Sequence, residues 1–172
     1  MKGGPEYNIV ENPIIEYLTG IGYNWLKPAD NAFARDGLNQ VILRDTFISS
    51  ITRINNISEE DARLVYLDLL NLQDNEEWTH TLRGNYSRTI QGESKKKTIN
   101  LIDFIHTENN VFTVSNQYKV EAEHSRIPDL VCFINGIPVV VIEAKSPVST
   151  KDKMGEAFEQ IRQYEHDIKR LF

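Results

Sequence analysis

Two short apolar runs, 130–134 and 139–143, joined near Asn135-Gly136, constrain this chain more than any other feature. β-Branched and aromatic residues dominate them, and Asn-Gly readily turns one strand back on its neighbour. Pro128-Asp129 stands before the first run, and the second ends in Glu143-Ala144-Lys145. Alternation puts Val139, Val141, Glu143 and Lys145 on one face of their strand, with Val140, Ile142 and Ala144 on the other. Such a strand leaves a core and delivers two carboxylates and an ammonium to one spot. Two hard oxygen ligands suit Mg²⁺, and a lysine beside them can steady an attacking water or the charge building on a phosphate. That is equipment for metal-assisted cleavage of a phosphodiester.

Parity makes the turn decisive. A two-residue turn at Asn135-Gly136 pairs Ile134 with Ile137 and sets Asp129 opposite Ile142, on the wrong face from Glu143. A three-residue loop, with Gly136 left-handed in a bulge, pairs Phe133 with Ile137 and puts Asp129 on the face of Glu143. A shared metal site therefore predicts that loop, a bulge elsewhere, or an Asp129 lying just before the regular ladder.

With 172 residues and 40% hydrophobic content, one well-buried core is expected. The reading is a single domain over 1–172, helical over about 1–74, irregular over about 75–110, with the core pattern over about 111–172. The net charge of −6 argues against nucleic-acid binding over the whole surface, since phosphate contacts need clustered Lys and Arg. The one cysteine, Cys132, lies in an apolar strand, and no N-terminal apolar segment resembles a signal peptide or membrane span. A cytoplasmic location is expected.

A first helix is predicted over 8–18, with Asn12 capping ahead of Pro13 and stops at Gly20 and Gly22. Its apolar arc of Ile14, Ile15, Leu18 and Ile21 has Glu11 near its middle, so Glu11 should point inward and Glu16 to solvent. Further helices are expected over 38–50, from Ser58 to about 72, where Ser58 and Asp61 resemble a capping box, and over 151–171. The last should turn Met154, Ala157, Phe158, Ile161, Tyr164 and Ile168 inward. A long strand is expected over 111–121. The four histidines lack zinc-ligand spacing, and the stretch from Gly92 to Thr98, with Lys95-Lys96-Lys97, lacks the glycine that a phosphate loop needs before its lysine.

Singly, Pro-Asp is an ordinary turn dipeptide and Glu-x-Lys an ordinary strand end; their combination across two adjacent strands is far rarer. The combination resembles the PD-(D/E)xK nuclease superfamily, and the wider segment RIPDLVCFINGIPVVVIEAKSP resembles the N-terminal endonuclease domain of the restriction (motor) subunit of type I restriction-modification enzymes. GEAFEQIRQYEHDI, with Gln160 and Tyr164 at i,i+4, has the spacing of that group's QxxxY motif. The likeness is strong over about 111–168 and absent over about 24–110.

The resemblance implies an α/β, restriction-endonuclease-like fold: a mixed central β-sheet flanked by helices, in a fragment of a longer chain. It implies Mg²⁺ held by Asp129, Glu143 and the Ala144 carbonyl, catalytic roles for Lys145 and Glu11, and support of the site or DNA contact by Gln160 and Tyr164. It also implies double-stranded DNA as substrate, an ATP-driven motor in the same longer chain, and modification and specificity subunits as partners. One departure is Arg126: relatives carry an arginine against the Pro-Asp, and here Ile127 intervenes. The alternative is a non-catalytic nucleic-acid-binding or subunit-docking module that kept the fold.

Overall fold

Asn135 and Gly136 both take left-handed backbone angles, φ +52° and +79°, as a two-residue hairpin turn requires. The three-residue bulged loop is therefore not formed. The computed structural model describes residues 10–72, 75–122, 124–145 and 153–168. In chain order these form α1 (Asn12–Gly20), β1 (Asn24–Leu26), α2 (Arg44–Asn55), α3 (Glu59–Leu70), α4 (Asn75–Leu82), β2 (Ser87–Thr89), β3 (Lys96–Thr98), β4 (Phe112–Asn116), β5 (Leu130–Ile134), β6 (Ile137–Ile142) and α5 (Lys153–Asp167). They fall into two compact units, the first drawn from Met1–Val41, Phe112–Phe133 and Pro138–Phe172, the second from Ile42–Val111 and Ile134–Ile137.

The first unit is built on a four-stranded sheet in the order β1-β4-β5-β6. It is mixed: β1 runs parallel to β4, with Trp25 opposite Val114, while the two-residue turn makes β5 and β6 antiparallel. β4 and β5 are also antiparallel, for the Gln117 N–H donates to the Asp129 carbonyl at 2.8 Å and Val120 bridges Arg126 further along the same pair. Ile15 of α1 packs with Val114, Leu130 and Cys132, flanked by Ile14, Leu18, Tyr23 and Ile142. Three residues of the predicted arc, Ile14, Ile15 and Leu18, thus cover the sheet, whereas Ile21, just past the helix, is 59% exposed. Asn12 does not cap it; its side chain donates to Glu16 one turn on, at 2.7 Å. Gly20 ends the helix, and Gly22 follows at φ +103°.

The long strand expected over 111–121 is interrupted. β4 stops at Asn116, and Gln117 takes a left-handed angle, φ +51°. The arc expected of α5 is also only partly right: Tyr164 and Ile168 are buried, but Met154 is 84% and Phe158 60% exposed. Phe158 instead lies under the Arg162 guanidinium, 5.3 Å away.

In the second unit, the helix expected over 38–50 begins only at Arg44 and runs to Asn55. Ser58 caps α3 by accepting from the Asp61 N–H at 3.0 Å. The Asp61 carboxylate does not complete the reciprocal bond of a capping box; it accepts from the Ser58 hydroxyl at 2.6 Å and from the Gln91 N–H at 3.1 Å. The region expected to be irregular holds α4 and the antiparallel pair β2–β3. Lys96 and Lys97, read as part of a loop, lie on β3. Gly136 is wedged into this unit: a Cβ on it would stand 2.5 Å from the Leu43 carbonyl.

Candidate active site

Asp129 is the residue immediately before β5, and Glu143 the one immediately after β6. Both thus escape the pleat that would set them on opposite faces, which is the third of the arrangements parity allowed. The ends converge through backbone: the Asp129 carboxylate accepts from the Ala144 N–H at 2.8 Å. Alternation does hold between Glu143 and Lys145, whose ammonium donates to a Glu143 oxygen at 2.7 Å. The Glu143 side chain is 3% exposed and that of Lys145 18%.

Two helices close on this hairpin end. From α5, the Tyr164 hydroxyl donates to the other Glu143 oxygen at 3.1 Å, so both oxygens of that carboxylate have donors. From the start of α1, Glu11 turns inward as expected and is buried, while Glu16 is exposed. The Glu11 carboxylate accepts from the Gln117 side-chain amide at 3.2 and 3.3 Å. Gln160 lies on α5 one turn before Tyr164 and is half-buried, with no bond to the carboxylates among the described contacts. Arg126 does not join the carboxylates either; it pairs with Asp167 near the end of α5, Nε to Oδ2 at 2.7 Å. Sequence reasoning missed Gln117 and Asp167. Neither sits in a pattern that would have marked it.

The charges are unevenly balanced. Burial, then the neighbouring charges of Glu143 and Glu11, push the Asp129 carboxyl up to about 6, against the opposing Ala144 N–H bond and Lys145. Tyr164 is raised by burial first and by the adjacent Glu143 charge second, so its phenol stays a donor. Lys145 is ion-paired with Glu143, whereas the Asp129 carboxylate is held by the Ala144 N–H. Among the described residues, no three His, Cys, Asp or Glu side chains could together hold a metal ion. A Mg²⁺ site commonly needs only one or two protein carboxylates, with water filling the remaining positions. Asp129 and Glu143, brought together at the end of the hairpin, fit that demand; the Ala144 carbonyl is the further ligand that the resemblance implies.

A family model for the N terminus of the type I restriction enzyme R protein matches residues 5–172. The chain belongs to that family. It is 34% identical, over 95% of its length, to a putative type I restriction enzyme MjaIXP endonuclease subunit of Methanocaldococcus jannaschii, and covers 17% of that protein. It is 28% identical, over 96% of its length, to the type I restriction enzyme HindI endonuclease subunit of Haemophilus influenzae, again covering 17% of it. As an R-protein N terminus it has the restriction-endonuclease-like α/β fold that the resemblance implied. The likeness also reaches across 24–110, where no resemblance was visible in the sequence. No helix among the described residues is long and apolar enough to cross a membrane.

Proposed function

We propose that this R-protein domain is the DNA-cleaving part of a type I restriction endonuclease subunit, hydrolysing phosphodiester bonds of double-stranded DNA with Mg²⁺. The observation that supports this most is the meeting of Asp129, Glu143, Ala144 and Lys145 at one end of a hairpin. Asp129, Glu143 and the Ala144 carbonyl would hold the ion. Bound Mg²⁺ would polarise the phosphate and acidify a water.

The chain's own residues do the rest. Lys145, fixed beside Glu143, orients the attacking water and offsets charge as the phosphorus becomes five-coordinate; groups of this kind contribute ~2.7–4 kcal/mol, about 10²–10³ in rate. Glu11 adds a buried negative charge near Asp129, which strengthens attraction for a cation. Tyr164 keeps Glu143 oriented, and Gln160, one turn earlier, supports the site or meets DNA. In the longer protein, which works in the cytoplasm, cleavage would be coupled to an ATP-driven translocase and to the modification and specificity subunits.

The test is cleavage by the full chain, assembled with its partner subunits, carrying Asp129→Ala or Glu143→Ala. Both should lose DNA cleavage and Mg²⁺ binding while ATP hydrolysis continues. Wild-type cleavage by either would overturn the assignment.

A further inference from the structure

We propose that Gln117 is a positioning residue for the acidic centre: its side-chain amide holds the Glu11 carboxylate while its backbone N–H holds the segment that carries Asp129. The proposal rests on the nuclease reading above and adds to it a residue outside the family motifs. Two bonds made by one residue tie together groups far apart in sequence. The Gln117 Nε2 donates to both Glu11 oxygens, at 3.2 and 3.3 Å, and its main-chain N–H donates to the Asp129 carbonyl at 2.8 Å. Glu11 precedes α1, and Asp129 precedes β5. Gln117 is thus the direct link between the two carboxyl-bearing segments.

The backbone explains why the link works. Gln117 is left-handed, φ +51°, a conformation that glycine or asparagine adopts with less strain. It is exposed, so burial does not demand a long side chain there. The left-handed residue breaks β4 after Asn116, yet its N–H still reaches Asp129. A glycine would serve the left-handed bend, but only a long side chain with a donor at its end also reaches Glu11. Like-charged carboxyl groups kept close together need restraint, because their repulsion drives them apart until a cation arrives. Holding Glu11 and Asp129 in place beforehand lowers the reorganisation that cation binding would otherwise require, as supporting residues around metal ligands commonly do.

The experiment uses the full chain with Gln117→Gly, Gln117→Ala, Glu11→Gln, the Glu11→Gln/Gln117→Gly double variant, and Asp129→Ala as the control for the site itself. The first readout is the Mg²⁺ concentration giving half of the Mg²⁺-induced rise in melting temperature, measured without DNA. The second is kcat and KM for DNA cleavage against Mg²⁺. Gln117→Gly relieves backbone strain, so it should melt no lower than wild type without Mg²⁺. It should nevertheless need about tenfold more Mg²⁺, the lower end of what losing a supporting residue costs, with cleavage recovering at excess Mg²⁺. Gln117→Ala should show the same Mg²⁺ defect while retaining the strain. In the Glu11→Gln background the Gln117→Gly effect should disappear. Unchanged Mg²⁺ dependence in both Gln117 variants, or additive effects with Glu11→Gln, would overturn the proposal while leaving the nuclease site standing. An Asp129→Ala protein with a wild-type Mg²⁺ response would overturn the site and this proposal together.

Discussion

At neutral pH the Asp129 carboxylate is ionised at a cost, because burial and the charges of Glu143 and Glu11 raise it from an ordinary 3.8 to about 6. A carboxyl raised on folding stabilises the native state below its unfolded value, and that contribution is lost as pH climbs through the folded one. Without metal, wild type should therefore lose stability between about pH 4 and 6. Asp129→Asn, which can still accept from Ala144, should be more stable than wild type at pH 8 by on the order of 2 kcal/mol, and by much less at pH 4.5. Mg²⁺ should close that gap at pH 8. Thermal melts in chelator and in Mg²⁺ would read this; a gap independent of pH would refute it.

Lys145 needs a more careful substitution than alanine. It neutralises a buried Glu143, so Lys145→Ala removes a structural partner as well as a chemical group and would cost stability. Lys145→Arg keeps the charge but replaces a compact ammonium with a broad planar fork. It should melt close to wild type yet cleave DNA about 10²-fold more slowly. Glu143 and Lys145 were legible because strand alternation sets them on one face, Asp129 because Pro-Asp ahead of such a strand is a rare combination, and Glu11 because it lies mid-arc on a helix. Gln117 was not, since its left-handed turn and its bond to a residue 106 positions away leave no periodic trace.

Among the elements, the β5–β6 hairpin holds the main lesson. Parity correctly stated that an unbulged two-residue turn faces Asp129 away from Glu143 if both lie within the ladder, but alternation does not say where a ladder stops. The strands end at Leu130 and Ile142, one residue short of each carboxylate. α4 was missed because its apolar positions are sparse, although Glu76 and Glu77 in its first turn and His80 in its last suit the helix dipole. α5 was found, but its outward Met154 and Phe158 show that an apolar residue at helical spacing is not bound to face a core.

Gly136→Ala puts a Cβ 2.5 Å from the Leu43 carbonyl at φ +79°, so it should destabilise by about 2 kcal/mol or more, seen as a lower melting temperature. Tyr164→Phe keeps the buried ring and removes only the donor to Glu143. It should cost about 1 kcal/mol of stability and lower cleavage by more than that loss explains, whereas equal cleavage would leave Tyr164 a packing residue.

For the molecule as a whole, charge and length set the expectation. The chain carries 19 Lys and Arg against 25 Asp and Glu, and covers 17% of each of the two endonuclease subunits named above. Affinity for DNA comes chiefly from neutralising phosphates and releasing their counterions, and a chain of net charge −6 neutralises few of them. The carboxylates that would suit Mg²⁺ add local repulsion for the same backbone until the ion is bound. An isolated domain of this composition should therefore bind DNA weakly, with a shallow salt dependence, and cleave little or not at all, if a longer chain such as those of the matched subunits supplies the grip and delivers the strand. Gel-shift titration of residues 1–172 across salt concentrations, with and without Mg²⁺, measures this directly. Binding should strengthen when Mg²⁺ is added at fixed ionic strength, and that gain should vanish in Asp129→Asn. Nanomolar, sequence-specific binding by these residues alone would instead place DNA recognition within this domain and contradict that division of labour.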